Sequence, residues 1–151
     1  MKRIFFAILF VLACGLSFGQ VVSPVSWTAV AKKIKDKVYE LHITASINKG
    51  WHIYSQATPD GGPVPTVITF TKNPLFELDG KPNEVGKLEQ HHEELFGVDV
   101  KQFSNKVDFV QVIKLKAPVK TSANVAIEYM VCSDKQCLPP STKTFSIALS
   151  N

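Results

Sequence analysis

No long stretch of this chain repeats its apolar residues at the helical period, and that alone points the fold toward β structure. The β-branched and aromatic residues fall instead in short runs broken by Gly, Pro and Asn. These runs are Val25 to Ala31, Val38 to Ile47, Trp51 to Tyr54, Thr66 to Phe70, Phe76 to Leu78, Val107 to Leu115, Val125 to Val131 and Thr144 to Leu149. Two of them alternate with the period of a strand. In the first, Tyr39, Leu41, Ile43, Ala45 and Ile47 share one face while Val38, Glu40, His42, Thr44 and Ser46 share the other. In the second, Val107, Phe109, Gln111, Ile113 and Leu115 oppose Asp108, Val110, Val112 and Lys114. Each strand therefore turns one face to a core and one to water. So many short strands at this spacing predict an all-β fold, an immunoglobulin-like antiparallel β-sandwich.

The first nineteen residues stand apart from this pattern. A basic start (Lys2, Arg3), an apolar core from Ile4 to Leu16, and the small residues Ser17 and Gly19 before Gln20 have the layout of a secretory signal peptide. That assigns 1–19 to export and 20–151 to a single domain. No later stretch is long and apolar enough to span a membrane. Val11-Leu12-Ala13-Cys14-Gly15 loosely matches a bacterial lipobox, which adds a lipid-anchored form as a second expectation. The chain carries 17 basic and 13 acidic residues; losing Lys2 and Arg3 lowers its net charge from +4 to +2, too little basic surface for nucleic-acid binding.

Processing also removes Cys14 from disulfide chemistry, leaving Cys132 and Cys137 in a compartment where disulfides persist. The polar tetrapeptide Ser133 to Gln136 separates them, and Pro139 and Pro140 follow, which places the pair on a turn at a strand end. A disulfide closing a ring of about six residues removes only roughly 2 kcal/mol of unfolded-state entropy, so it is a poor staple. Lys135 favours a thiolate and Asp134 opposes one. On spacing alone, redox work and a plain surface disulfide both stand.

Two other segments carry candidate site residues. Asn48-Lys49-Gly50 is a tight turn, after which Trp51 and Ile53 share one face and His52 and Tyr54 the other; Trp51 reads as core, and His52 and Tyr54 are the pair that can face a site. Gln56 to Pro65 reads as an ordered loop. The long polar segment Asp79 to Asn105 reads as solvated loop, and its adjacent His91 and His92 lack the spacing of a metal site. Within it, Leu95-Phe96 beside Gly97 forms a bulky apolar loop tip of the kind that covers something or meets a partner.

Gly50-Trp51-His52-Ile53-Tyr54, then His92-Glu93-Glu94-Leu95-Phe96-Gly97, then Cys132 and Cys137 followed by Leu138-Pro139-Pro140 resembles, in that order, the periplasmic N-terminal domain of DsbD-type thiol:disulfide interchange proteins. The likeness runs over nearly the whole mature chain. It implies an immunoglobulin-like sandwich whose cysteine pair lies under a mobile cap loop and relays electrons, without a cofactor, to exported proteins, including those of cytochrome c biogenesis. Carried over by position, Cys132 and Cys137 are the redox pair, with Cys137 facing the partner and Cys132 resolving. Glu93 and Glu94 match the acidic cap residues, Leu95 or Phe96 the cap phenylalanine, and Tyr54 and His52 the aromatic lining. Four residues separate the cysteines where better-known members have five, which alters the loop geometry.

Family members continue into a multi-helix membrane domain and a thioredoxin-like domain. A chain ending at Asn151 is expected to draw its reductant from other polypeptides, namely thioredoxin-like redox proteins and a membrane electron-transfer protein, and to act as a monomer. The expected function is thus periplasmic thiol–disulfide exchange, classed as a protein-disulfide reductase component. The alternative is a non-catalytic sandwich that binds a protein, its disulfide pinning a loop. A weaker third reading is a copper or zinc carrier built on Cys132, Cys137 and a histidine.

Overall fold

The computed structural model describes residues 23–59 and 61–149, so the signal-peptide and lipobox readings lie outside the described residues. The described strands are β1 (Val25–Lys35), β2 (Val38–Ile47), β3 (Trp51–Tyr54), β4 (Val67–Phe70), β5 (Phe76–Glu93), β6 (Val98–Leu115), β7 (Thr121–Tyr129), β8 (Val131–Ser133) and β9 (Ser141–Leu149). All pair antiparallel. One sheet runs β1-β2-β6-β3-β8, with β5 also on β6, and the other runs β4-β7-β9. This is an immunoglobulin-like β-sandwich, as the alternating runs predict. Among the described residues no helix is long and apolar enough to cross a membrane.

The core lies where the two alternating strands point it. Tyr39, Leu41, Ile43, Ala45 and Ile47 of β2 are all buried, as are Val107, Phe109, Gln111, Ile113 and Leu115 of β6. Ala123, Val125 and Ile127 of β7, with Ile147 and Leu149 of β9, meet them from the opposite sheet. Trp27 of β1 stacks on Phe109 (centroids 6.0 Å apart) and tilts against Tyr129 of β7 (5.1 Å), so aromatic contacts join the two layers. Gln111 is a polar residue at a core position for a specific reason. The β5 register skips from Asp79 to Asn83 there, and the Gln111 amide donates to the Asp79 carbonyl at 3.2 Å.

The segment Asp79 to Asn105, read above as solvated loop, is instead most of a long hairpin: β5 and β6 pair from Phe76↔Leu115 to Glu93↔Val98. The polar pattern misleads because most of β5 is exposed on both faces, and its order comes from backbone hydrogen bonds to β6 rather than from a buried stripe. The strand readings Phe76 to Leu78 and Val107 to Leu115 are correspondingly too short. The run Val125 to Val131 is divided, its first part in β7 on the small sheet and its end in β8 on the large one.

One long strand serves two partners, and this positions the site. The outer half of β6 pairs with β3 (Phe103↔Ile53) and its inner half with β2 (Val107↔Ala45). Between them Asn105 takes a positive φ of 68°, a conformation Asn tolerates better than most residues. Across from this irregularity Gly86 lets β5 close in: a Cβ there would stand 3.0 Å from the Lys106 carbonyl oxygen. The short β3 is thereby held between β6 and β8, with the β5–β6 tip beyond it.

Candidate functional site

Cys132 lies in β8, directly across from His52 of β3. After Ser133 the chain turns on itself. The Ser133 amide donates to the Gln136 carbonyl at 2.8 Å, and the Leu138 amide donates to the Val131 carbonyl at 2.9 Å. Cys132 and Cys137 are thereby brought opposite one another and joined by a disulfide with an S–S distance of 2.04 Å. Pro139 and Pro140, which lack amide hydrogens, follow at once. The two sulfur-bearing residues differ in exposure: Cys132 is 0% exposed, whereas Cys137 is partly exposed.

Beneath the disulfide sits a small apolar cluster separate from the main core. Tyr54, Val100 and Cys132 form it, with Val98, Met130 and Cys137 packed around. His52 and Tyr54 do share a face, as the strand period requires, and both are buried. Ile53 is buried on the opposite face, and Trp51 is half-buried against the main core. Thus β3 is covered on both sides.

A buried polar chain runs along this face. The Tyr54 hydroxyl donates to Glu93 Oε2 at 2.9 Å, and His52 Nε2 lies 3.1 Å from the same hydroxyl and 3.7 Å from that carboxylate oxygen. A phenol has one hydrogen to give. With it on Glu93, the Tyr54 oxygen is an acceptor toward His52, so Nε2 carries the imidazole proton and Nδ1 the lone pair. Burial lowers the His52 pKa, against the opposing pull of Glu93 and Asp134. Burial, followed by the hydrogen bond and charge of Glu93, pushes the Tyr54 pKa well up. On the rim, Glu89 accepts from Ser104 at 2.9 Å, and this bond, with help from Lys87, lowers the Glu89 pKa.

A pH dependence follows from His52. Its folded pKa lies below the ordinary 6.5, so just below that value the unfolded chain binds more protons than the folded one. The His52 contribution is complete above the ordinary value and is lost as pH falls through it toward the folded pKa. His92 opposes this, because its bond to Asp99 raises its pKa. Urea denaturation at about pH 7 and about pH 5 separates the two. The wild type should lose more stability over that interval than His52→Gln, and equal losses would remove His52 as the acid-sensitive group.

The remaining predicted site residues are distributed around the hairpin tip. Glu93 ends β5 and is buried against Tyr54, while its neighbour Glu94 is exposed. The tip closes as the Gly97 amide donates to the Glu93 carbonyl at 2.7 Å. Leu95 is 63% exposed and Phe96 37%, and neither belongs to the apolar cluster around the sulfurs. His92 lies on a strand rather than a loop and meets Asp99 at 2.8 Å. Among the described residues, no group of three or more His, Cys, Asp or Glu side chains is placed to hold a metal ion. Sequence reasoning missed Val98, Val100 and Met130 as lining; the alternation of Val98, Asp99 and Val100 was the available signal.

The sequence model of the family described as "Thiol:disulfide interchange protein DsbD, N-terminal" matches residues 21–149. No curated protein matches the chain significantly. Among solved structures, the reduced N-terminal domain of DsbD from Neisseria meningitidis is similar, with a TM-score of 0.54 and 17% identity over 83% of this chain and 86% of that one. A complex between the DsbD and PilB N-terminal domains of the same organism gives 0.54 and 15% over 85% and 88%. The N-terminal periplasmic domain of ScsB from Proteus mirabilis gives 0.50 and 16%, covering 86% of this chain and 49% of that one. At these identities the structural likeness speaks for the fold.

Proposed function

Since the chain belongs to the family of DsbD N-terminal domains, we propose that it performs thiol–disulfide exchange in the periplasm, taking electrons from a thioredoxin-like or membrane reductant and passing them to exported proteins through Cys132 and Cys137. The observation that carries this reading is the unequal exposure of the two cysteines. Exchange begins with a sulfur that another protein can reach and ends with attack by a second sulfur held close by. Cys137, beside the exposed Pro139 and Pro140, meets the first requirement, and Cys132, bonded to it and enclosed, meets the second. The similar Neisseria structure of a DsbD N-terminal domain with a PilB N-terminal domain supports a protein as the other reactant. Attack of a thiolate on a disulfide needs no bound group.

The test is the reduction potential, measured by equilibration with defined thiol–disulfide buffers. An exchange pair should fall in the range of roughly −120 to −270 mV, whereas a bridge that merely pins a loop falls below about −300 mV. A value below that limit would return the disulfide to a structural role.

Glu94, Leu95 and Phe96 enter this proposal as the cap, with Glu93 at its base. An exposed apolar pair at the tip of the hairpin whose base, Glu93 and Val98, reaches the cluster around the sulfurs is suited to shielding them in one state and meeting a partner in another. Alkylation of the reduced protein, which reads thiolate access, should be several times faster after Leu95→Ala with Phe96→Ala. Identical rates in the two proteins would take the tip out of the mechanism.

A further inference from the structure

Resting on the exchange reading above, we infer that His52 is the general base that takes the proton from Cys132 when this buried cysteine resolves the mixed disulfide. His52 and Cys132 are directly paired across β3 and β8. Directly opposed residues project to the same face, with Cβ atoms about 4.5–5.5 Å apart. The resolving thiol is enclosed: Cys132 is fully buried and packs with the apolar cluster of Tyr54 and Val100.

The polar chain sets which imidazole nitrogen is available. Tyr54 donates to Glu93, so His52 Nε2 is committed as donor to Tyr54, and the lone pair stands on Nδ1, the ring nitrogen nearer the backbone. Sγ of a cysteine also lies close to its own backbone, so the pairing across the ladder sets the two at similar height above the sheet. The groups around the ring favour a base of this kind. Burial keeps His52 neutral and able to accept a proton. Glu93 and Glu89 from β5, and Asp134 from the turn after β8, favour the imidazolium once it forms; His91 of β5 opposes it. Tyr54 and Ser104, the latter paired with His52 from β6, add only neutral groups.

The step balances as follows. The Cys132 S–H bond breaks, its proton passing to His52 Nδ1 and its electron pair remaining as the thiolate. That thiolate attacks Cys137 Sγ in the mixed disulfide; the bond from Cys137 to the partner sulfur breaks, and the electron pair leaves on the partner. The imidazolium then releases its proton to the departing thiolate or to water. Two thiols of this chain become one disulfide, and one disulfide of the partner protein becomes two thiols. When an upstream dithiol reduces the domain the step runs in reverse: His52, after taking a proton from the attacking thiol or from water, gives one to the departing Cys132 thiolate.

A chromogenic aromatic disulfide, dithiobis-nitrobenzoate, tests this on the reduced protein. One coloured thiolate is released when Cys137 attacks the reagent, and a second when Cys132 expels its remaining half from Cys137. In His52→Gln at about pH 7 the first release should stay within about twofold of wild type and the second should slow by about tenfold or more, the scale of general-base assistance. The two proteins should converge by about pH 10, where hydroxide ionises the thiol unaided. Equal second phases at every pH, or a slowing by the same factor at every pH, would overturn the assignment. If His52→Gln does not fold, the wild type still decides: a second phase that rises through the imidazole range and levels off supports His52, and one that rises only in the thiol range refutes it. Failure of the exchange reading is read elsewhere, as a reduction potential below the range of exchange pairs, because a merely structural pair would also give the second release.

Discussion

Cys132→Ser should accumulate disulfide-linked adducts with thioredoxin-like proteins on non-reducing gels, and Cys137→Ser should form almost none. A mixed disulfide is a transient species because a second thiolate of the same domain breaks it. Removing that thiolate while leaving the attacking sulfur in place traps the adduct, whereas removing the attacking sulfur prevents it. On the exchange reading, the difference in burial distinguishes the two roles. Cys132 is in β8 at 0% exposure, packed with Tyr54, Val100, Val98 and Met130, so a partner reaching it would first have to displace packed side chains. Cys137 is already partly exposed, and the two prolines that follow hold the chain beside it without offering amide donors. The experiment expresses each variant in a bacterium with an oxidising periplasm. The reverse pattern would exchange the two roles, and adducts from neither variant would favour a disulfide that serves only to pin the turn.

How much of this was legible beforehand depends on what each residue's burial is decided by. β2 and the inner half of β6 could be read face by face because each presents one side to the core, and the alternation of Leu41, Ile43 and Ala45 against His42 and Thr44 records that. β5 could not, since a strand exposed on both faces leaves no periodic trace and only its pairing with β6 orders it. The site divides the same way. His52 and Tyr54 fall on one face by the strand period alone, and the cysteine pair declares itself by its setting before two prolines. The burial of Glu93 has no local signal: it lies among polar residues, and its inward partners, Tyr54, which is 39 positions away, and His52, are far off in sequence. Gln111 was placed on the core face by periodicity, but the register skip in β5 that receives its amide N–H was not visible in the sequence.

Tyr54→Phe should cost about 3 kcal/mol of folding stability, although it removes a single oxygen atom. The ring it leaves fills the same fully buried space, so packing is preserved and the loss is polar. The Tyr54 hydroxyl is the donor to Glu93, a carboxylate only 8% exposed, and a hydrogen bond to a charged group contributes about 1.5–3 kcal/mol. The same oxygen is the acceptor for His52 Nε2, so two buried polar groups lose a partner at once. His52, at 3.7 Å from Glu93, lies beyond hydrogen-bonding distance and does not replace the hydroxyl without moving. Urea denaturation gives the number, and a double-mutant cycle with Glu93→Leu gives its origin. If the cost arises from leaving the carboxylate without its donor, the double variant should be less destabilised than the sum of the two single ones, because removing both partners spares the penalty of a buried unpaired charge. Additive losses, or a Tyr54→Phe protein as stable as the wild type, would mean that water already satisfies Glu93 and that the buried chain does not hold the hairpin tip to β3.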